Sequence, residues 1–228
     1  MYKVNVGRKI LSANERYAFE NSLMLAEKRK LCLNMISSPG SGKTTLLVRT
    51  ITELRTQLRI GVIEGDIKTE IDSERIRAAS APAIQIETEG ACHLSAAQVN
   101  AALKQLPVDT LDVIFIENVG NLVCPSAFAL GENGKIVVLS VAEGDDKAAK
   151  YPAIFAKSQV LLINKIDLLE AGGLVDFDIE RVKTDARKLN KNLEIFPISA
   201  RTGKGMPLWY DWLKKTSRSV GYPPGLGV

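Results

Sequence analysis

The sequence of 228 residues has little of several features on which other classes of protein depend. It contains three cysteines and one histidine, too few for the disulfide framework of a small secreted domain. No apolar run approaches the roughly 20 residues that a membrane-spanning helix needs. The first ten residues, MYKVNVGRKI, lack the apolar core of a signal peptide. We therefore expect a cytoplasmic protein that does not bind or cross a membrane.

The charge balance also lacks a strong excess of either sign. Thirty Lys and Arg residues face 26 Asp and Glu residues, so the formal net charge is +4. Proteins that bind nucleic acid usually carry a clustered basic stripe, and this chain has none. A composition of 46% hydrophobic and 25% charged residues is typical of a globular protein. The sequence predicts one α/β domain and no nucleic-acid partner.

Residues 31–48, LCLNMISSPGSGKTTLLV, predict a strand, a glycine-bearing loop and the start of a helix. This arrangement is typical of a P-loop, in which backbone N–H groups and the helix N-terminus bind phosphates. Ser37 stands where the usual pattern has its first glycine. Lys43 can reach the β- and γ-phosphates, and the Thr44 hydroxyl can hold Mg²⁺. The predicted phosphate-binding residues are Gly40, Ser41, Gly42, Lys43, Thr44 and Thr45.

Short apolar strands alternate with helices along the rest of the chain, which predicts a doubly wound, mostly parallel sheet with an N-terminal helical extension. We expect residues 1–12 to be extended, Asn14 to cap a helix over 15–29, and strands at 59–64, 83–86, 111–116, 135–141, 159–163 and 193–197. The last helix is expected over 206–215. The predicted division is an N-terminal arm and helix (1–30), a nucleotide-binding domain with its metal site (31–215) and a flexible tail (216–228).

Two motifs near the C-terminus indicate which base the site selects. Asn164, Lys165 and Asp167 form an N-K-x-D motif directly after a predicted buried strand. The Asp167 carboxylate can accept hydrogen bonds from N1–H and the exocyclic amine of guanine, a donor pair that adenine lacks. The sequence Ser199-Ala200-Arg201 resembles the S-A-K loop of GTPases, whose backbone amide meets guanine O6. The motifs predict binding of GTP and GDP.

The carboxylate that assists phosphoryl transfer is less certain from the sequence. Asp66 follows the second strand, where it can hold Mg²⁺ through water or orient the attacking water. Glu117 follows the fourth strand, at the position of a Walker-B carboxylate. Either residue is also compatible with a simple helix-capping role. Gly120 lies where its amide can contact a γ-phosphate.

Cysteine and histidine also form a candidate metal site. Cys92 and His93 are adjacent in one loop, and Cys124 lies in another, whereas Cys32 sits inside the first strand as a core thiol. Thiolate and imidazole ligands suit Zn²⁺ and related metals. Three ligands are too few for a closed site, although a symmetric dimer can complete one. The spacing alone is equally compatible with a polar loop and a buried thiol.

Several of these pieces together resemble the hydrogenase nickel-incorporation GTPase family (HypB), which belongs to the dimerising P-loop GTPases. The resemblance covers nearly the full length. It is carried by SSPGSGKTT (37–45), GD (65–66), GACHL (90–94), IENVGNLVCP (116–125), EGDD (143–146) and NKID (164–167). The pieces GACHL and ENVGNLVCP are much more specific than the general GTPase motifs.

The resemblance implies a GTP-dependent homodimer of slow intrinsic turnover that binds Ni²⁺ or Zn²⁺ and supports nickel delivery to a hydrogenase precursor. It implies Cys92, His93 and Cys124 as metal ligands at the dimer interface, coupled to the nucleotide through the neighbouring residues 117–120. It also implies a small companion nickel chaperone of the HypA type and the hydrogenase large-subunit precursor as partners. The chain lacks the N-terminal Cys-rich or His-rich tract of some members, which argues against nickel storage.

Two other interpretations remain at this point. Relatives that serve urease use a Cys-Pro-His motif, whereas Cys124-Pro125 is followed here by Ser126. This difference argues against the urease branch, although another metal-delivery P-loop GTPase stays possible. A GTP-binding regulatory protein with no metal role, or a scaffold that binds GTP without turnover, is the further alternative.

Overall fold

The computed structural model describes residues 6–66, 71–88, 90–170 and 175–220. Within these residues seven strands form one sheet in the order β3-β2-β4-β1-β5-β6-β7, and the strand pairs are parallel. The strands are β1 (Leu31–Ser37), β2 (Ile60–Asp66), β3 (Ala83–Glu87), β4 (Val113–Glu117), β5 (Gly134–Ser140), β6 (Val160–Asn164) and β7 (Glu194–Pro197). The predicted doubly wound parallel sheet is confirmed.

Helices cover both faces of the sheet, as parallel strands require. They are α1 (Val6–Glu27), α2 (Lys43–Leu54), α3 (Ile71–Ala78), α4 (Ala96–Leu103), α5 (Cys124–Ala127), α6 (Lys147–Lys150), α7 (Pro152–Lys157), α8 (Ile179–Leu189) and α9 (Met206–Ser219). The short helices α5, α6 and α7 were not expected from the sequence, because four to six residues are too few to show a helical period.

The core lies on both sides of β1, the central strand. Leu31, Leu33 and Met35 pack in one cluster with α2 and α9, whereas Cys32 packs with α1 and α4 on the other face. This alternation follows from the two-residue period of a strand. Cys32 is fully buried, and burial strongly raises the pKa of its thiol, so its expected role as a core residue is consistent with the structure.

The prediction for the N-terminus was wrong in two respects. Residues 6–12 are helical rather than extended, and Asn14 lies inside α1 rather than capping it. The Asn14 side chain makes long-range hydrogen bonds instead, donating to Ala129 O (2.8 Å) and accepting from the amide of Ala96 (2.9 Å). Local sequence cannot show such partners, so the sequence alone predicts a cap at this residue. Residues 1–5 lie outside the described residues.

Element boundaries elsewhere differ by a few residues. The strand expected to end at residue 64 continues to Asp66 at the end of β2. Helix α9 continues to Ser219, four residues past the predicted end, and Trp209 anchors it by donating from Nε1 to Thr50 Oγ1 at 3.1 Å. The predicted tail therefore begins too early, and its residues 221–228 lie outside the described part. None of the described helices is both long and apolar enough to cross a membrane.

Candidate functional site

The P-loop connects β1 to α2 at the centre of the sheet. Gly42 adopts a left-handed φ of 94°, and a Cβ there would lie 2.7 Å from Asn164 Nδ2, so only glycine fits. Ser37, which replaces the expected first glycine, is fully buried, and its hydroxyl accepts hydrogen bonds from Ser41 Oγ (2.6 Å) and Lys43 Nζ (2.8 Å). The buried Ser37 hydroxyl thus links Ser41 and Lys43 within the loop, a role that the sequence pattern did not suggest.

A cavity of about 470 Å³ opens above this loop. Its walls include P-loop residues, the segment after β4, and Lys165 of the N-K-x-D motif. The carboxyl ends of parallel strands are the usual ligand site in such sheets. Two further residues, which sequence reasoning did not single out, also line the cavity: Glu64 and Arg75. Arg75 donates to Thr45 Oγ1 at 3.1 Å, which brings α3 against the P-loop helix.

Thr44 and Glu117 meet at the edge of this cavity. Thr44 Oγ1 donates to Glu117 Oε1 at 2.9 Å, and both side chains are buried. A hydroxyl and a carboxylate beside a phosphate-binding loop are oxygen ligands of the type that Mg²⁺ prefers. Asp66 ends β2 nearby in the sheet. The structure describes the Asp66 backbone but not its side chain, so of the two predicted carboxylates only Glu117 is seen in contact with the loop.

Gly120 lies against the P-loop. A Cβ on this residue would be 2.9 Å from both the Cγ and the N atom of Pro39, so the two backbones approach as closely as glycine allows. Gly120, Val119 and Asn118 all line the cavity. The segment after β4 therefore contacts the phosphate-binding loop directly, as its sequence position suggested.

The N-K-x-D loop and the Ser199–Arg201 turn meet beside the P-loop. Asn164 Nδ2 donates to Ser41 O at 2.9 Å, and Asn164 Oδ1 accepts from the amide of Ala200 at 3.0 Å. In this arrangement the Ala200 amide ties the two loops together. Lys165 has a left-handed φ of 65°, and its Nζ donates to Gly40 O at 2.7 Å. Asn164 and Lys165 thus hold the N-K-x-D loop against the P-loop.

The Asp167 carboxylate has one oxygen that could accept a hydrogen bond from a ligand. Its Oδ1 is buried and has no hydrogen-bond partner among the described residues. An unpaired buried carboxylate oxygen is costly, so a donor from a ligand would stabilise it.

Arg49 of α2 holds the Ser199–Arg201 turn in place. Its Nε donates to Ala200 O (2.6 Å), and its Nη2 donates to Arg201 O (2.9 Å). Arg49 was not singled out from the sequence.

The three predicted soft ligands converge although they come from two separate loops. Cys92 and His93 lie between β3 and α4, and Cys124 begins α5. Their ligand atoms all lie within 4.8 Å of one another. Cys92 is exposed, whereas the other two are partly buried, so the group opens to one side. Two thiols and an imidazole fit Zn²⁺ or Ni²⁺, and the open side leaves room for a further ligand.

Neighbouring residues set the orientation and protonation of this group. The His93 ring stacks on Phe128 with centroids 4.1 Å apart, and Asn121 Nδ2 donates to Cys92 O at 3.2 Å. Partial burial lowers the pKa of His93, which favours the neutral imidazole that binds metals. A hydrogen bond with Cys124 raises the pKa of the Cys92 thiol. Metal binding at this site would therefore release thiol protons.

Comparisons with known proteins agree on one family. The family model described as "CobW/HypB/UreG, nucleotide-binding domain" matches residues 32–197. The hydrogenase maturation factor HypB of Escherichia coli K12 is 48% identical over 205 residues, which are 90% of this chain and 70% of that protein. A crystal structure of HypB from Archaeoglobus fulgidus has a TM-score of 0.83 at 40% identity, covering 91% of this chain and 100% of that one. HypB from Helicobacter pylori in complex with nickel has a TM-score of 0.85 at 36% identity, covering 94% and 100%.

Proposed function

The chain belongs to the HypB family of hydrogenase maturation factors, and from this premise we propose that it is a GTP-hydrolysing metallochaperone. In this proposal a homodimer holds nickel or zinc at its interface and supports nickel insertion into a hydrogenase precursor. The observation that carries it is the convergence of Cys92, His93 and Cys124 within 4.8 Å in a chain that also has a P-loop cavity. Residues 31–215 would supply both sites.

The nucleotide-binding part of the proposal rests on the P-loop and the buried Asp167 oxygen. Lys43 would neutralise the β- and γ-phosphates, while the amides of residues 40–45 bind them. Asp167 would accept hydrogen bonds from the guanine edge, and Asn164 and Lys165 would hold the base-binding loop in place. Adenine offers no donor pair to this carboxylate, so the site would select GTP and GDP.

Thr44 and Glu117 would hold Mg²⁺, since their oxygens lie 2.9 Å apart at the edge of the phosphate cavity. When bound, Mg²⁺ neutralises charge on the phosphate oxygens during transfer. Glu117 and Gly120 both line the cavity. We expect the Gly120 amide to contact the γ-phosphate, so this segment would respond to hydrolysis. We expect slow intrinsic turnover, as the family resemblance implies.

The metal part of the proposal requires a second copy of the chain. Structural zinc sites take four ligands, and the described residues of each chain offer three, of which Cys92 is exposed. Two copies related by a two-fold axis can share or pair their ligands, which would couple metal binding to dimerisation. Nickel would be the cargo, received from a companion chaperone of the HypA type and passed to the hydrogenase large-subunit precursor.

Two sets of variants test the two halves of the proposal separately. Replacing Cys92, His93 and Cys124 together with Ala should abolish nickel binding in equilibrium dialysis and leave GTP hydrolysis in place. Cys32→Ala is the matched control, because it also removes a thiol, but one that is buried in the core and is not part of the ligand group. Nickel binding that survives the triple substitution would disprove the metal assignment.

Phosphate release tests the enzymatic half. Purified protein should release phosphate from GTP but not from ATP, and Lys43→Ala should lose this activity while remaining folded by circular dichroism. A wild-type chain that binds GTP without releasing phosphate would instead be a nucleotide-binding scaffold. Hydrolysis with no metal binding at all would favour a GTP-binding regulator.

A further inference from the structure

Four buried polar side chains form a continuous hydrogen-bonded chain between the nucleotide cavity and the metal cluster. They are Asn118, Asn34, Glu132 and Lys135. The two asparagines are at most 1% exposed, and the Glu132 and Lys135 side chains are 4% and 12% exposed. Buried polar groups that depend on one another in this way are costly to break singly. We call this set the polar relay.

From Asn118 to Glu132 each side chain of the polar relay donates to the next, and the backbone sets this direction at Asn118. Lys135 donates to Glu132 from the other side. Asn118 Oδ1 accepts from the amides of Leu94 (3.2 Å) and Val119 (3.0 Å). Two N–H donors at this atom identify it as the oxygen, so Asn118 Nδ2 donates onward to Asn34 Oδ1 at 3.2 Å. Asn34 Nδ2 then donates to Glu132 Oε1 at 3.1 Å.

The far end of the polar relay holds the helix that carries Cys124. Lys135 Nζ donates to Glu132 Oε1 and also to Phe128 O (3.0 Å) and Pro125 O (3.4 Å). Helix α5 has only four residues and cannot be stable on its own. Its position, and with it that of Cys124, therefore depends on contacts such as these two carbonyls. Phe128 is also the residue on which His93 stacks.

The near end lies at the nucleotide. Asn118 directly follows Glu117, which bonds Thr44, and it lines the nucleotide cavity together with Val119 and Gly120. Its amide bonds Met35 O at 3.0 Å, which fixes the segment to β1. The same side chain also holds Leu94, the residue after His93. One asparagine thus contacts the segment of His93 directly and the segment of Cys124 through the relay.

We propose that the polar relay transmits the nucleotide state to the metal ligands, with Asn34, Glu132 and Lys135 as positioning residues for Cys124. A change at residues 118–120 on loss of the γ-phosphate moves the Asn118 side chain. The bond to Leu94 then shifts His93, and the bonds through Asn34 and Glu132 shift α5. This inference rests on the proposed function, because it assumes that the cluster binds metal. It adds which residues couple the two sites.

The test measures coupling rather than affinity alone. Nickel(II) is titrated against a chromophoric chelator with the full chain loaded with GDP, and again with a non-hydrolysable GTP analogue. Asn34→Ala breaks the relay at a residue outside the cavity lining and outside the metal ligands. Asn100→Ala is its matched control, since it removes one buried Asn–Asn hydrogen bond, to Asn21 at 2.7 Å, that is not part of the relay.

A second relay variant with its own control keeps the test valid if Asn34→Ala does not fold. Lys135→Met removes the ammonium group but keeps the apolar part of the side chain. Lys157→Met is its control, because Lys157 Nζ donates to Ser126 O (2.9 Å) and so also holds α5, but from outside the relay. Melting temperatures are measured for all four variants, so that a loss of stability can be separated from a loss of coupling.

In the wild type, nickel affinity should differ between the two nucleotides by about 5-fold or more. The relay variants should bring this ratio to within about 2-fold, and the controls should keep it, since only relay variants break the linkage. A wild-type ratio that persists in Asn34→Ala and Lys135→Met would overturn the proposal, as would a wild-type ratio of one. A wild type that binds no nickel would instead refute the proposed function itself.

Discussion

Asp167→Asn should change which nucleotide base the chain prefers. The carboxylate has a buried Oδ1 with no partner among the described residues, so it is ready to accept a donor from the base. Guanine offers two donors, N1–H and the exocyclic amine. Inosine nucleotides lack the amine, and each hydrogen bond to a charged group contributes roughly 1.5–3 kcal/mol. The wild type should therefore bind IDP roughly 10- to 150-fold more weakly than GDP.

The substitution replaces one acceptor oxygen by an N–H donor that faces the base. Guanine then meets a donor where it needs an acceptor, so GDP affinity should fall by roughly 100-fold or more, the sum of about two charged hydrogen bonds. Xanthine carries an oxygen in place of the exocyclic amine, so XDP should bind the variant better than GDP does. The physical reason is the exchange of one donor–acceptor pair, with the rest of the loop unchanged.

The assay is a fluorescence competition titration with GDP, IDP and XDP against a labelled guanine nucleotide. Asp185→Asn is the control, because Asp185 pairs with Lys188 on the exposed face of α8, away from the cavity. If Asp167→Asn binds GDP as tightly as the wild type, or the control changes base preference equally, the assignment of Asp167 to the guanine edge is wrong.

Three further outcomes follow from the geometry. Gly120→Ala should slow GTP turnover more than it weakens GDP binding, because its Cβ would lie 2.9 Å from Pro39 and push the segment off the P-loop. Single-turnover hydrolysis and a GDP titration measure the two effects, and equal losses in both would contradict this prediction. Asn21→Ala should lower the free energy of unfolding by about 2–4 kcal/mol in urea titrations, since the fully buried side chain donates to two backbone carbonyls; a loss below about 1 kcal/mol would contradict this. Asp112→Asn should cost about 0.2–1 kcal/mol at pH 7. That cost should vanish as the pH falls through the pKa of Asp112, which its hydrogen bond with Arg59 holds below the usual 3.8, and a cost that persists in acid would exclude the ion pair as its cause.

Sequence motifs predicted the sheet, which the structure confirms, and indicated where a nucleotide would bind, because their chemistry is local. A P-loop needs its glycines, lysine and threonine within a few residues, and the N-K-x-D motif ends a buried strand. The parallel sheet follows from apolar strands that alternate with helices. Asn164 lies against Ser41 because both motifs end neighbouring parts of one sheet, and the sequence indicated this edge without giving the contact.

Contacts between distant residues were outside the reach of sequence patterns. Asparagine is a residue type that commonly caps helices. Only the hydrogen-bond partners of Asn14, 82 and 115 positions away, explain its place inside α1. Asn34 was hidden within an apolar strand, and its role depends on Asn118 and Glu132 in other elements. The metal cluster needed more than sequence spacing. The spacing of Cys92, His93 and Cys124 did not decide between a metal site and a polar loop, and the family resemblance favoured a metal site. The structure brings the three ligand atoms together.

The central claim is that nucleotide state, metal binding and dimerisation are linked in this chain. Its most direct test is sedimentation velocity of the full chain during a nickel titration, once with GDP and once with a non-hydrolysable GTP analogue. The account predicts that nickel shifts the chain from monomer toward dimer and that the two nucleotides need different nickel concentrations for this shift. The same oligomeric state at every nickel concentration with both nucleotides would contradict it.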